Sequence, residues 1–363
     1  MRIATLANAA VGHTRRWVED LRSRGHEVGV WSLERGPAEL GASPLPVSPL
    51  PGFLRYPLAA PALRAALARF APDLVDAHFV PNYGLLGALS GRRPLAVTAW
   101  GSDLLVAGGR DPFQRARARF VLGRADLVLA DAANLARAAR TLGAPAARVH
   151  EVPWGVDLER FRPSGAREPG LLLSTRMHEP VYDLETLIAG VASLMGRRPG
   201  TRLVVAGDGS LRGAHERLAA RLLPAGRYRF VGMQTPQELA EWLARADVYL
   251  SAARSDSTSI SLLEAMAAGA LPVVTDIEGN REWVGEGDGA RLFQVSDPEA
   301  LANALARALD SPEWAMAARS RNRREVEERG DRSRTLDRIE ALFGALVAGR
   351  VPPPEPGARG EHP

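Results

Sequence analysis

The sequence contains neither cysteine nor lysine. Without cysteine, the chain can form no disulfide, no thiolate nucleophile and no cysteine-based metal site. Without lysine, it can form no Schiff base, and a phosphate group must be bound by arginine, by backbone N–H groups or by a metal. The 46 basic residues are all arginine and are scattered among 42 acids, which leaves a formal net charge of +4. This even mixture predicts that the protein has no nucleic-acid partner.

Long apolar runs are also lacking. No stretch of about eighteen uncharged apolar residues occurs, and the N-terminus does not have the charged and apolar regions of an export signal. We therefore expect a cytoplasmic protein. Residues 50–70 are apolar with intermittent arginines. This segment could pack against a protein core, or it could lie on the inner membrane face as a peripheral contact.

Short apolar strands alternate with helical stretches along most of the chain. The expected strands are 3–6, 26–33, 73–78, 94–100, 126–130 and 148–153, followed by 171–175, 202–206, 227–231, 247–251 and 271–275. Such alternation predicts an α/β fold with parallel sheets covered by helices on both faces.

A polar break that contains glycine and proline, RPSGAREPG at 162–170, separates the two series of strands and is the expected linker. We expect two doubly wound, Rossmann-like domains over residues 1–164 and 165–330. A C-terminal helix over 331–349 could pack back on the first domain. The proline-rich tail over 350–363 is expected to be disordered.

The stretch SDSTSISLLEAMAAGALPVV at 255–274 combines two acids with several hydroxyl groups. Asp256 precedes Ser257–Ser259, and Glu264 lies in an apolar helical run. Because this loop follows a strand and begins a helix, its backbone N–H groups favour an anion such as phosphate. Sugar hydroxyls would explain both acids, since each carboxylate can accept two of them. A capping box between Ser261 and Glu264 would explain only the second acid.

This segment resembles the signature of the retaining GT-B glycosyltransferases of family 4. In that signature two acids separated by seven residues flank a small-residue loop, as Asp256 and Glu264 do here, and the second acid begins a run matched by Glu264-Ala-Met-Ala-Ala-Gly269. VPWGVDLERF (152–161), VVAGDGSL (204–211) and TAWGSD (98–103) resemble other segments of the family, so that the likeness covers nearly the whole chain. The resemblance implies a GT-B architecture, in which an acceptor-side and a nucleotide-sugar-binding domain face a cleft.

The resemblance also implies how a donor would be bound. Glu264 would hold the ribose hydroxyls of a UDP-sugar or another nucleotide sugar, Asp256 the hydroxyls of the donor sugar, and Arg176 the leaving diphosphate. These three would be the catalytic residues, and catalysis would be electrostatic. The donor-binding residues would be Gly12, Arg176, Gly232, Met233, Arg254, Asp256, Ser257, Thr258, Ser259, Ile260 and Glu264. No cofactor and no metal would be required beyond the nucleotide sugar itself.

Three positions depart from the family pattern. The first acid is Asp256, one methylene shorter than the common glutamate. The lysine that usually follows the arginine by five positions is missing, and Arg254 is the expected substitute. Trp100 stands where a histidine often precedes Gly-x-Asp. The expected acceptor-binding residues are His13, His78, Trp100 and Asp103.

The expected function is transfer of a sugar, as a hexosyltransferase-type enzyme, to a hydroxyl of a glycan, a lipid-linked glycan or a small natural product. A nucleotide-sugar epimerase or dehydrogenase with similar paired sheets is an alternative, and a catalytically weakened binding partner is another. The sequence GDGSLRG at 207–213 superficially resembles a dinucleotide-binding fingerprint. No acid closes the next strand, however, so a tight turn is the favoured interpretation.

Overall fold

The structure is a computed structural model, and it describes residues 1–46, 52–105, 112–165 and 167–350. The chain divides into two compact units. Unit 1 contains Met1–Val152 and the chain from Leu336 onward, and unit 2 contains Pro153–Thr335. The proline-rich tail lies outside the described residues from position 351.

Unit 1 is built on a parallel sheet of seven strands in the order β3-β2-β1-β4-β5-β6-β7. The strands are β1 (Arg2–Leu6), β2 (Glu27–Ser32), β3 (Ser43–Pro44), β4 (Leu74–His78), β5 (Leu95–Thr98), β6 (Leu127–Ala130) and β7 (Val149–Glu151). The helices are α1 (Gly12–Ser23), α2 (Gly52–Phe70), a π-helix (Phe79–Gly84), α3 (Leu85–Ser90), α4 (Ser102–Leu105), α5 (Pro112–Arg124) and α6 (Ala133–Thr141), with short 3-10 turns at Ala38–Leu40 and Ala146–Arg148.

Unit 2 has a second parallel sheet, with six strands in the order β10-β9-β8-β11-β12-β13. The strands are β8 (Glu168–Ser174), β9 (Arg202–Ala206), β10 (Tyr228–Gly232), β11 (Ala246–Ser251), β12 (Leu271–Thr275) and β13 (Arg291–Phe293). Its helical elements are a 3-10 turn (Pro180–Tyr182) and the helices α7 (Leu184–Arg197), α8 (Arg212–Leu222), α9 (Pro236–Arg245), α10 (Ile260–Ala268), α11 (Glu278–Arg281), α12 (Pro298–Leu309) and α13 (Pro312–Arg329). The helix that follows, α14 (Arg332–Val347), begins in unit 2 and continues in unit 1. The α/β class expected from the strand pattern is confirmed.

The division between the units differs from the expected linker at 162–170. Residues 153–161 pack in unit 2, where the side chains of Val156 and Phe161 are buried in the core. The Val156 N–H donates to the Gly330 carbonyl at 2.8 Å, and Arg323 donates from Nη1 to the Phe161 carbonyl at 2.8 Å. These contacts attach the segment to α13, and so the division falls at Val152 rather than after residue 164.

Helix α14 crosses the division, because its first turn belongs to unit 2 and the rest to unit 1. In unit 1 the ring of Phe343 packs edge-on against Trp17, with 6.4 Å between ring centroids. Arg24 donates from Nη1 to Glu340 Oε2 at 2.6 Å. The chain therefore passes between the units twice, once after Val152 and once after Thr335.

Helix α2 covers most of residues 50–70, the segment for which the sequence allowed either core packing or membrane contact. Its inward face is buried in the core of unit 1, through Tyr56, Ala59, Ala60, Leu63 and Leu67. Leu58 is exposed. Core packing thus accounts for most of its apolar residues, and residues 50 and 51 lie outside the described part. In that described part, no helix has the combined length and apolar character that crossing a membrane requires.

Candidate functional site

Several of the expected donor-binding residues of unit 2 lie in loops where neighbouring parallel strands end. Arg176 follows β8, Gly207 follows β9 and Gly232 ends β10. The β11–α10 loop (252–259) follows β11, which lies next to β8 in the sheet. Because the carboxyl ends of parallel strands meet at one edge of the sheet, these loops lie side by side. This is where ligands bind in doubly wound sheets.

Arg176 is at the centre of this edge. Its side chain is buried, and Nη2 donates to Asp256 Oδ2 at 2.6 Å. Nη1 donates to the Ser259 hydroxyl at 2.6 Å. The guanidinium carbon lies 4.1 Å from the centre of the Tyr182 ring, within the range of a cation–π contact. Three residues therefore hold one arginine in a fixed orientation.

The electrostatics of the pair keep Arg176 charged. Burial is the largest single influence and by itself would lower the pKa of the guanidinium. The charge and hydrogen bond of Asp256, together with the nearby Tyr249 and Tyr182, outweigh burial and raise the pKa above its ordinary value. Arg176 and Asp256, expected to work together on a donor, are in direct contact.

The start of α10 is fixed by Ser259. This residue is the helix N-cap, and its hydroxyl accepts from the Leu262 N–H at 3.3 Å. Ser261 lies inside the helix, so the capping box between Ser261 and Glu264 is wrong. The helix dipole at this end favours an anion.

The hydroxyl side chains of the β11–α10 loop face the protein. Ser257, Thr258 and Ser259 are buried. The Ser259 hydroxyl contacts Arg176, and the Thr258 hydroxyl accepts from Nε1 of Trp283 at 3.3 Å. These two hydroxyls therefore order the loop. Ile260, half-buried, is the first residue of α10.

Glu264 lies one turn into α10 and is 3% exposed. The residues on either side of it, Leu262, Leu263, Ala265 and Met266, are all buried, so α10 is enclosed on every face. The helix ends at Gly269, which has a φ of +79° and forms the left-handed cap. A carboxylate in such surroundings needs hydrogen-bond donors to remain charged.

One glycine, Gly207, allows the loop after β9 to approach the backbone of Arg176. A Cβ on Gly207, where φ is +135°, would lie 2.5 Å from the Arg176 carbonyl oxygen. The Gly207 N–H donates to the Gly232 carbonyl at 2.8 Å, and Met233 beside it is exposed. The structure thus brings Arg176, Gly207 and Gly232 together. Residues 207–211 form a short loop that ends in a turn and leads into α8, where the Arg212 N–H donates to the Gly209 carbonyl at 3.2 Å.

Gly279 in α11 was not singled out from the sequence. A Cβ at this position would lie 2.2 Å from the Ser257 carbonyl oxygen and 2.6 Å from that of Asp256. Only glycine therefore allows α11 to approach the β11–α10 loop in this way. The contact joins residues that are distant along the chain, and no local sequence pattern predicts it.

Arg254, the expected substitute for the missing lysine, has a partner of its own. Its Nε donates to Asp183 Oδ2 at 2.9 Å, and the Ser296 hydroxyl donates to the same oxygen at 2.8 Å. Asp183 is buried and caps α7. About half of the Arg254 side chain remains exposed.

In unit 1, three of the four expected acceptor-binding residues form one aromatic cluster. The Trp100 ring lies 5.2 Å from the ring of His13 and 5.5 Å from that of His78, measured between centroids. His13 is exposed, Trp100 is half-buried and His78 is buried. Gly12, the first residue of α1, is exposed and has room for a Cβ, so the fold itself does not demand glycine there.

A buried carboxylate that was not expected, Asp76, supports this cluster. It accepts from Trp17 Nε1 at 2.8 Å and from the Thr98 hydroxyl at 3.1 Å. Its Oδ2 lies 2.9 Å from His78 Nε2. Asp76 is wholly buried, so these three partners replace the water that it loses on folding.

Asp103 is placed differently from the expectation that it binds an acceptor hydroxyl. It is wholly buried, and its oxygens accept from the Val80 N–H at 2.9 Å and the Trp100 N–H at 3.1 Å. Burial raises the pKa of Asp103 to about 6, although the backbone N–H groups partly oppose the rise. Its observed role is to hold the loop that carries Trp100.

Two doubly wound units in one chain, with a buried arginine and two acids at the edge of the second sheet, define the GT-B class. Residues 10–160 match the family model described as Glycosyltransferase Family 4, and residues 168–311 match the model described as Glycosyl transferases group 1. The chain belongs to this family of glycosyltransferases, as its signature residues had indicated.

Several named proteins are similar to the chain. D-inositol 3-phosphate glycosyltransferase 2 of Catenulispora acidiphila is 31% identical over 276 residues, which are 66% of this chain and 63% of that protein. Phosphatidyl-myo-inositol mannosyltransferase of Mycobacterium tuberculosis is 34% identical over 167 residues, 43% of this chain and 42% of that protein. The alignments thus span less than two thirds of these relatives.

Solved structures share the fold across nearly the whole chain. Sucrose-phosphate synthase from Thermosynechococcus elongatus superposes with a TM-score of 0.83 at 20% identity, covering 96% of this chain and all of that one. Anabaena HepE in complex with UDP-glucose gives a TM-score of 0.80 at 19% identity, covering 95% and 100%. At such low identity the likeness establishes the fold, and the GT-B class is confirmed.

Proposed function

We propose that the protein is a retaining glycosyltransferase that moves a hexose from a nucleotide-diphosphate sugar to a hydroxyl of an acceptor. The observation that carries the proposal is the buried guanidinium of Arg176, 2.6 Å from Asp256 and 2.6 Å from Ser259 at the first turn of α10. A cation, a helix N-terminus and acids within one site match the combined charges of a diphosphate and a sugar. The complex of HepE with UDP-glucose makes UDP-sugars the first donors to test.

Each part of the donor has a proposed partner. Arg176 and the backbone N–H groups of 257–260 contact the diphosphate, Asp256 contacts the sugar hydroxyls and Glu264 contacts the ribose. Gly232 and Met233 border the base. Gly12 and Arg254 complete the contacts with the phosphates.

The reaction forms a bond between the acceptor oxygen and the anomeric carbon of the sugar and breaks the bond from that carbon to the diphosphate. The proton of the acceptor hydroxyl passes to the diphosphate that leaves. Arg176 stabilises the negative charge that develops on the leaving group, and a fixed donor needs no reorganisation as that charge appears. We propose that this charge makes a bound metal unnecessary.

The acceptor is proposed to bind at the cluster of His13, His78 and Trp100, where an aromatic ring can cover one face of a sugar or cyclitol. Asp103 then acts indirectly, because it holds the Trp100 loop. The acceptor could be a glycan, a lipid-linked glycan or a small natural product. Since the similar proteins are named for inositol phosphate and phosphatidylinositol, soluble inositol phosphates are suitable first acceptors. We propose that transfer occurs in the cytoplasm.

Product analysis tests this proposal. The protein is incubated with UDP-, GDP- and ADP-hexoses and a panel of acceptors, and products are analysed by mass spectrometry and proton NMR. We expect equal amounts of free nucleoside diphosphate and glycosylated acceptor, with the anomeric configuration of the donor kept. An epimerised or oxidised nucleotide sugar would support the epimerase or dehydrogenase alternative, and tight binding without turnover would support a binding partner.

A further inference from the structure

We propose that Tyr182 is a positioning residue for Arg176, and that its ring fixes the guanidinium in the orientation that receives a diphosphate. The inference rests on the proposed function, because it assigns a task to Arg176. Tyr182 was not among the residues expected from the sequence. It follows Arg176 at about the distance where the family usually has a lysine, in a chain that has none.

Three contacts define the plane of the Arg176 guanidinium. Nη2 donates to Asp256 and Nη1 donates to Ser259, each at 2.6 Å. These two bonds fix one edge of the planar group but leave it able to rotate about that edge. The Tyr182 ring lies 4.1 Å from the guanidinium carbon and covers one face. Arginine stacks on aromatic rings in this way because its cation is planar and weakly hydrated.

The Tyr182 ring is itself held by the backbone around it. Tyr182 ends the 3-10 turn Pro180–Tyr182, and its N–H donates to the Glu179 carbonyl at 3.0 Å. On the preceding residue, the Val181 carbonyl accepts the Arg254 N–H at 2.8 Å. The following residue, Asp183, has a φ of +46° and is buried as the cap of α7. The turn that presents the ring is therefore attached to both the β11–α10 loop and α7.

The lysine-free composition explains why orientation matters here. A lysine supplies a compact charge whose position tolerates rotation, whereas a guanidinium binds oxygens only along its plane. With no lysine available to share the charge of the diphosphate, the direction of the Arg176 N–H groups must be set before the ligand arrives. A preorganised donor binds more tightly because less freedom is lost on binding.

A purely structural role for Tyr182 makes a different prediction. The ring also packs at the edge of the unit 2 core, so its loss could weaken the fold without any special effect on Arg176. Two variants separate the roles. Tyr182→Phe keeps the ring face and removes only the hydroxyl, and Tyr182→Leu keeps apolar bulk and removes the ring. Tyr182→Met replaces the leucine variant if that variant does not fold.

The experiment is a double-mutant cycle on nucleotide affinity. The affinity of the full chain is measured by calorimetry for whichever of UDP, GDP and ADP binds the wild type most tightly. The variants are Tyr182→Leu, Tyr182→Phe, Arg176→Met and the Tyr182→Leu/Arg176→Met double variant. We expect Tyr182→Leu to weaken binding about fivefold to tenfold and Tyr182→Phe to stay within about twofold. In the Arg176→Met background, Tyr182→Leu should add less than about twofold.

Two results would overturn the inference. Wild-type affinity in Tyr182→Leu would show that the ring does not position Arg176, and an equal loss in both backgrounds would show a structural role. Both outcomes leave the proposed function standing. Unchanged affinity in Arg176→Met would instead contradict the proposed donor site itself, so the two failures are distinguishable.

Discussion

The guanidinium of Arg176 and the carboxylate of Asp256 form a largely buried ion pair, with 2.6 Å between Nη2 and Oδ2. The two residues follow strands β8 and β11, which lie side by side in the sheet. The loss of Asp256 alone leaves the Arg176 cation buried without this carboxylate, whereas the loss of both residues leaves no such cation.

Asp256→Ala is expected to lower the free energy of unfolding by about 2–4 kcal/mol, because it leaves the Arg176 cation buried without its carboxylate. The double variant Asp256→Ala/Arg176→Met should recover at least half of that loss. Urea denaturation of the three proteins in the absence of nucleotide measures both values. A double variant that loses as much stability as Asp256→Ala, or more, would contradict this coupling.

Gly279→Ala is expected to displace the β11–α10 loop, because the new Cβ would lie 2.2 Å from the Ser257 carbonyl oxygen, which is backbone and cannot rotate away. Nucleotide affinity should fall about tenfold or more, with a lower melting temperature. Gly196→Ala is the matched control, since Gly196 lies in α7 with open space around it. That change should be neutral or stabilise by up to about 1 kcal/mol. Equal behaviour of the two variants would refute the close approach of α11.

Asp76→Ala is expected to destabilise unit 1 by about 3–5 kcal/mol, because Trp17 Nε1, the Thr98 hydroxyl and His78 Nε2 all lose a buried acceptor. Thermal and urea unfolding measure the change. Asp73→Ala serves as the control, because Asp73 precedes the same strand but is exposed. A loss below about 1 kcal/mol for Asp76→Ala would mean that the network contributes little.

Asp103 should make stability depend on pH. Burial raises the pKa of its carboxyl to about 6. A carboxyl with a higher pKa in the folded chain than in the unfolded one binds more protons when folded, so its contribution to stability is lost as pH rises from about 4 to 6. Relative to Asp103→Asn, the wild type should therefore lose up to about 3 kcal/mol across this interval. Carbon NMR of the Asp103 carboxyl measures its pKa, and urea unfolding at several pH values measures the change in stability. A stability difference between the wild type and Asp103→Asn that does not change with pH would contradict the prediction.

The alternation of strands and helices along each unit follows from features that are local in the sequence. Apolar strands such as 171–175 and 271–275 alternate with helices, and Gly269 ends α10 at the position its sequence indicates. The pair of acids at Asp256 and Glu264 identified the family for the same reason, because the whole signature lies in one loop and the helix that follows it. Patterns of this kind depend only on residues that are near one another in the sequence, and so they can be recognised without the structure.

Features that depend on tertiary contact could not be predicted in the same way. Ser259 and Ser261 are equally good capping residues by type, and it is Ser259 that caps α10 and also accepts from Arg176. Asp76 accepts a hydrogen bond from Trp17, which lies 59 residues earlier in the chain. Asp103 looked like a ligand contact because it follows a glycine-containing loop, yet the backbone N–H groups of that loop and of Val80 enclose it.

The central claim, that a nucleotide sugar binds where α10 begins, is tested most directly by calorimetric titration of the wild type, Glu264→Gln and Glu241→Gln with UDP-, GDP- and ADP-glucose. Glu241 lies on the exposed face of α9 and provides the matched control. We predict one bound molecule per chain for at least one donor, affinity at least about tenfold weaker in Glu264→Gln, and no change in Glu241→Gln. Binding of no donor, or equal affinity in all three proteins, would contradict the account.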